Sequence, residues 1–133
     1  MRNRVTIVVI IVLVVLIFGN GFGKRPFKDL TRNDLVDVSL SVTPPGKTTE
    51  IQDEFKIQLL VDTLNSVVIY KEDDTGREGD RQLVRFILKM NDGSIVQVEP
   101  AGTFLLINDK SYKTEIEPCL ELYTLGNRLI NYN

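Results

Sequence analysis

An uninterrupted apolar run near the N-terminus constrains this chain more than any other feature. Residues 5–18 read VTIVVIIVLVVLIF without a charge, and the low polarity continues through Phe22, before Lys24 and Arg25. About 18 residues form a helix of roughly 27 Å, which is enough to cross the hydrocarbon core of a bilayer. We therefore expect residues 1–23 to form a transmembrane signal anchor or a signal peptide rather than a buried core helix.

The residues that flank this run bear on its orientation and fate. Arg2 and Arg4 precede it, and the positive-inside rule then places the N-terminus in the cytoplasm and the rest of the chain outside. Gly19 and Gly21 are small residues at positions where a signal peptidase cuts, but Gly-Asn-Gly is a poor substitute for Ala-x-Ala. We expect an uncleaved, single-pass anchor in the cell membrane, with secretion after cleavage near Gly21 as the alternative.

The charge distribution argues against a nucleic-acid partner. Residues 24–28, KRPFK, form a short basic stretch that we interpret as a linker. Five of the sixteen basic residues lie within the first 28 positions and all eighteen acidic ones lie from Asp29 onward, so that part carries a net charge of about −7. Because phosphate recognition needs clustered Lys and Arg, we expect neither DNA nor RNA to bind.

The residue types present exclude most catalytic chemistry. The chain has no histidine and one cysteine, Cys119, which removes Ser-His-Asp and Cys-His mechanisms, His-ligated zinc and an intrachain disulfide. Cys119 is expected to be a buried, small apolar residue. The acidic, solvated loop at 71–80, KEDDTGREGD, lacks the Asp-x-Asp-x-Asp-Gly spacing of a calcium loop. We predict no catalytic residue, no metal site and no cofactor.

Periodicity predicts one domain over residues 29–133. Apolar and polar residues alternate over 36–42, which indicates a strand that Pro44-Pro45-Gly46 ends. After a short extended piece at 48–51, Asp53 suits the N-cap of an amphipathic helix, with apolar residues at Ile57, Leu60, Val61 and Leu64. A further strand is predicted over 67–70.

The register of the next hairpin follows from side-chain pairing. Strands at 82–90 and 94–100 flank Asn91-Asp92-Gly93. A three-residue loop with Gly93 in the left-handed region pairs large apolar residues on one face, Phe86 with Val98 and Leu88 with Val96, and sets Arg85 opposite Glu99 on the other.

A second hairpin and a helix are predicted at the C-terminus. Strands at 104–107 and 110–113 flank Asn108-Asp109. Pro118 is expected at the first position of a helix whose apolar stripe contains Cys119, Leu122, Leu125 and Leu129. Gly126 lies within this helix, and its low helix propensity predicts fraying of the last turn.

These elements predict an α+β fold, with a mostly antiparallel sheet and two helices packed on one face, preceded by the N-terminal transmembrane or signal helix. The other face of the sheet would then remain open to a partner. Its residues in the first hairpin present a mixed polar and apolar surface: Arg85, Ile87, Lys89, Ile95, Gln97 and Glu99.

Three segments resemble a known group of domains. They are TTEIQDEFKIQLLVDTLNSVVIY, LVRFILKMNDGSIVQVE and LLINDKSYKT, within residues 36–125. The pattern resembles small uncharacterised lipoproteins and membrane-anchored proteins of Gram-positive bacteria, with their Lys-x-x-Asp-Gly and Ile-Asn-Gly-Lys-x-Tyr hairpins. This chain departs from them in having Asp109 at the usual Gly and no lipid-attachment Cys after the apolar run. The resemblance implies a fold and an extracytoplasmic location, and no substrate.

We therefore expect a non-catalytic, extracytoplasmic binding or sensing module tethered to the cell membrane, which contacts another envelope protein or a ligand through the sheet. Two alternatives stay open. The first is an accessory subunit of a membrane complex, in which the N-terminal helix is the interacting element. The second is an enzyme of unusual mechanism.

Overall fold

A computed structural model describes residues 23–77 and 81–132 of the chain. The predicted anchor or signal segment, except for Gly23, lies outside the described residues. Two short 3-10 helices occur at Arg32–Asp34 and Asp74–Arg77. The strands and α-helices, in chain order, are β1 (Leu35–Thr43), β2 (Lys47–Ile51), α1 (Glu54–Asn65), β3 (Ile69–Glu72), β4 (Leu83–Met90), β5 (Ile95–Ala101), β6 (Phe104–Ile107), β7 (Lys110–Thr114) and α2 (Ile116–Tyr132).

The seven strands form a single antiparallel sheet in the order β2-β1-β4-β5-β6-β7-β3. Together with the two helices they confirm the predicted α+β class. The extended piece predicted after the first strand is the regular edge strand β2. Strand β3 occupies the opposite edge, beside β7.

The register predicted for the β4–β5 hairpin is confirmed. Phe86 lies opposite Val98 and Leu88 opposite Val96. Gly93 has a φ of +91°, and its N–H donates to the carbonyl of Met90 at 3.0 Å, which closes the three-residue loop. In this conformation a side chain at Gly93 would be strained, so glycine decides the register.

The core lies between the helices and one face of the sheet. The stripe predicted on α1 is buried, and so are the inward residues of the sheet, such as Leu40 and Phe86, which are fully shielded from solvent. Residues of α1, α2 and all seven described strands join in one hydrophobic cluster. This arrangement confirms that both helices cover the same face.

Helix α2 begins two residues earlier than predicted. It begins at Ile116, so Pro118 is its third residue, where a missing N–H is still harmless because the first four N–H groups of a helix have no helical partner. The helix continues past Gly126 to Tyr132, so the glycine does not end it, and fraying of the last turn stays a prediction. A Cβ at Gly126 would collide with Val84, so this glycine permits close packing of the helix on the sheet.

The basic stretch at 24–28 is packed onto the domain and does not have the character of a linker. Lys24 exchanges two backbone hydrogen bonds with Ile69, at 2.9 and 2.8 Å, and extends the β3 edge. Phe27 is only 1% exposed and belongs to the core. The fold therefore includes the residues from Gly23 onward, and not only those from Asp29.

Candidate functional site

The sheet has a second face, directed away from the helices, which we call the outer face. Strand pairing places all six residues of the predicted contact surface on it. Ile87 lies opposite Gln97, Lys89 opposite Ile95, and the Arg85 side chain reaches Glu99. Strand β1 adds small polar residues beside them, since Ser39 pairs with Ile87 and Ser41 with Arg85.

The six residues differ in their accessibility. Ile95 is 55% exposed, and Ile87 and Gln97 are half-buried. Arg85 and Lys89 are exposed, whereas Glu99 is buried, with 7% of its surface accessible. The outer face thus combines an apolar side chain at its rim with charged groups near its centre.

An ion pair fixes the centre of the outer face. The Arg85 Nε donates to the Glu99 Oε1 at 3.1 Å, and the Glu99 side chain is 9% exposed against 44% for Arg85. A carboxylate at this depth needs a cation beside it, and the hydrogen bond to Glu99 restrains the Arg85 side chain. The remaining guanidinium N–H groups of a half-exposed arginine suit hydrogen bonding to a ligand.

A depression of about 280 Å³ adjoins this pair. Besides Arg85, Gln97 and Glu99, it is lined by four residues that the sequence did not assign to the site: Arg81, Leu83, Leu106 and Asp109. Leu106 pairs with Glu99 across β5 and β6. The signal that would have found Leu106 is the register of the second hairpin against the first. The lining of the depression thus contains two arginines, two carboxylates and two leucines.

The turn of the β6–β7 hairpin is hydrogen-bonded to β5 beside this depression. Asn108 and Asp109 have φ values of +49° and +71°, as the turn prediction requires. The Asn108 N–H donates to the Gln97 carbonyl at 3.0 Å, and its Oδ1 accepts the Gln97 N–H at 2.9 Å. The turn of one hairpin is thereby clamped to the strand of the other.

The predicted solvated loop after β3 partly covers the outer face. The 3-10 helix Asp74–Arg77 contacts β7, where Ser111 is fully buried, and the Asp73 N–H donates to the Ser111 carbonyl at 2.8 Å. Hydrogen bonds from Thr75, aided by Lys113, lower the pKa of the Asp73 carboxyl. The open part of the outer face therefore extends from β1 to β6.

The thiol of Cys119, the one cysteine in the sequence, lies in the core and not on the outer face. Cys119 is 1% exposed, its thiol contacts the Phe104 carbonyl at 3.2 Å, and burial raises its pKa to about 11, as expected for a core residue. Among residues 23–77 and 81–132, no three acidic or Cys side chains come together as a ligand set for a metal ion.

Comparison with protein-family models, with curated proteins and with solved structures finds no match. The resemblance to small Gram-positive membrane-anchored domains stays a prediction. Within the part of the chain that the structure describes, no helix is both long and apolar enough to cross a membrane.

Proposed function

We propose that this protein is a non-catalytic binding or sensing module, tethered outside the cell membrane, and that its outer face contacts an envelope protein. The observation that carries the proposal is the outer face itself. It presents an ordered Arg85–Glu99 pair, a 280 Å³ depression and the exposed Ile95 on adjacent strands. Protein interfaces combine such apolar anchors with arginine and a polar rim.

The rigidity of this surface supports binding. The residues stand on paired strands, and the Asn108 clamp and the Arg85–Glu99 pair restrict their motion. A surface ordered before contact loses less conformational entropy on association, and therefore retains more of its interaction energy.

The membrane tether in this proposal comes from the sequence of residues 5–18. Its apolar length suits a bilayer, and the acidic composition from Asp29 onward leaves no basic cluster of the kind that nucleic acids require. The arginines before the run favour the outer side for the domain.

The test replaces the apolar residues of the outer face in the full, affinity-tagged chain. Ile87→Lys with Ile95→Lys should abolish crosslinking to the envelope protein that the wild type captures from membranes. Phe55→Lys is the matched control, because Phe55 is 72% exposed but lies on α1, in the helical layer.

The proposal would be contradicted if the crosslinked protein were lost from both the double variant and the Phe55→Lys control. It would also be contradicted if both variants retained that protein. Ile87 is half-buried, so thermal unfolding of each variant is measured first. Ile95→Lys alone, at an exposed site, serves as the test if the double variant unfolds.

A further inference from the structure

The chain joins the domain at one defined end. A Cβ at Gly23 would lie 2.6 Å from Val68 Cγ1, so this residue is pressed against the start of β3. The Val68 carbonyl also accepts the Glu115 N–H at 3.0 Å. The end of α1, the start of α2 and the point of attachment therefore lie together, at what we call the proximal end.

The attachment is rigid. The Arg25 Nε and Nη2 donate to the Asn65 carbonyl at 3.0 and 2.7 Å. The Asn65 amide donates in turn to the carbonyls of Phe27 and Leu30, at 2.7 and 3.0 Å. Asn65 thus ties residues 25–30 to the end of α1, so the chain from Gly23 onward has a fixed direction relative to the domain.

The chain between the apolar run and the domain is short. Four residues separate Phe18 from Gly23, so the two lie at most roughly 17 Å apart when fully extended. A domain of this size has a radius of gyration of roughly 13 Å. With the apolar run in a bilayer, the proximal end therefore stays within roughly 17 Å of the hydrocarbon core, beside the headgroup layer.

Exposed apolar side chains are found at this end. Ile116, next to Glu115, and Leu120, one turn further along α2, are each 57% exposed. Leu120 also borders a depression of about 290 Å³ with Gly102, Cys119 and Tyr123. The Thr114 N–H donates to the Thr103 carbonyl at 3.0 Å, so the turn that contains Gly102 lies at the proximal end too.

We propose that the proximal end rests on the lipid surface of the membrane, with the side chains of Ile116 and Leu120 in the headgroup layer. This docking rests on the membrane tether of the proposed function. Lys24 and Lys28 are exposed near the attachment, and Glu117 and Glu121 on the first turns of α2 offset their charge. The contact is therefore driven by the short tether and the apolar side chains, and not by net charge.

In this docked arrangement, the strands of the outer face run away from the membrane surface. Strand β5 runs from Ile95 to Ala101, whose end adjoins the proximal turn, so Ile95 stands roughly 20 Å further along the strand. Phe55 likewise lies at the far end of α1, because the C-terminal end of α1 is proximal. A partner of the outer face would meet it above the bilayer surface.

The test places a nitrobenzoxadiazole label on the full chain reconstituted into phosphatidylcholine vesicles that carry nitroxide headgroups. Ile116→Cys is compared with Ile95→Cys, since the two isoleucines have nearly equal exposures of 57% and 55%, and with Phe55→Cys. The native Cys119 is buried and stays unlabelled at neutral pH. Leu120→Cys provides a second proximal position if the Ile116 variant does not fold.

The proximal labels should be quenched severalfold more than those at Ile95 and Phe55. Equal quenching at all positions, in protein that floats with the vesicles, would overturn the docking and leave the tether intact. Protein that does not float with the vesicles would overturn the tether, and the docking with it.

Discussion

Replacing Gly126 by alanine tests how closely α2 packs on the sheet. An added Cβ would overlap Val84 Cγ1 and approach Phe86 Cζ to 3.4 Å and Leu40 Cδ1 to 3.5 Å. All three residues are fully buried, and the β-branched Val84 has few rotamers in which to move away. Overpacking of this kind costs about 3 kcal/mol at the upper end of its usual range.

The intrinsic effect of the same change has the opposite sign. Alanine is favoured over glycine inside a helix by about 1 kcal/mol. The free energy of unfolding of Gly126→Ala should therefore fall by about 2 kcal/mol, or roughly 8 °C in Tm for a domain of this size.

The assay is thermal unfolding of the full chain in mild detergent, followed by circular dichroism. Thr124→Ala is the control, since Thr124 is exposed on the same helix and its replacement should raise stability by a few tenths of a kcal/mol. An unchanged or raised Tm for Gly126→Ala would refute the close packing of α2 on β4.

Two further predictions concern the core. Phe86→Ala removes a fully buried ring that pairs with Val98, and should lower the free energy of unfolding by about 3 to 5 kcal/mol; an unchanged Tm would contradict the register. The raised pKa of Cys119 means that, between about pH 9 and about pH 11, the folded thiol keeps a proton that the unfolded chain loses, so the free energy of unfolding should fall across this range. Urea unfolding at both pH values should show a smaller fall for Cys119→Ala than for the wild type; equal falls would contradict the burial of the thiol.

Local signals predicted most of the secondary structure. The α1 stripe, the Gly93 loop and the β4–β5 pairing depend on neighbouring residues, whose periodicity and turn chemistry are visible in the sequence. The placement of the six predicted contact residues on one face of the sheet followed from the same pairing. The close packing at Gly126 was not predicted, because the proximity of Gly126 to Val84 is a tertiary contact. Only the low helix propensity of glycine is visible in the sequence.

The remaining features depend on contacts between residues far apart in the chain. Asn65 is the last residue of α1, and its amide binds two carbonyls more than thirty residues earlier, which makes the predicted linker part of the fold. Leu106 joins the candidate site from β6, because the order of strands in the sheet places β6 beside β5. No local pattern encodes that order.

The proposed function requires the domain to lie on the outer side of the membrane, and fusion reporters measure this. Alkaline phosphatase, which is active only outside the cytoplasm, is fused to the C-terminus of the full chain, and a reporter that is active only in the cytoplasm is fused to a parallel copy. We expect phosphatase activity in the membrane fraction and an inactive cytoplasmic reporter. An active cytoplasmic reporter with an inactive phosphatase would contradict it.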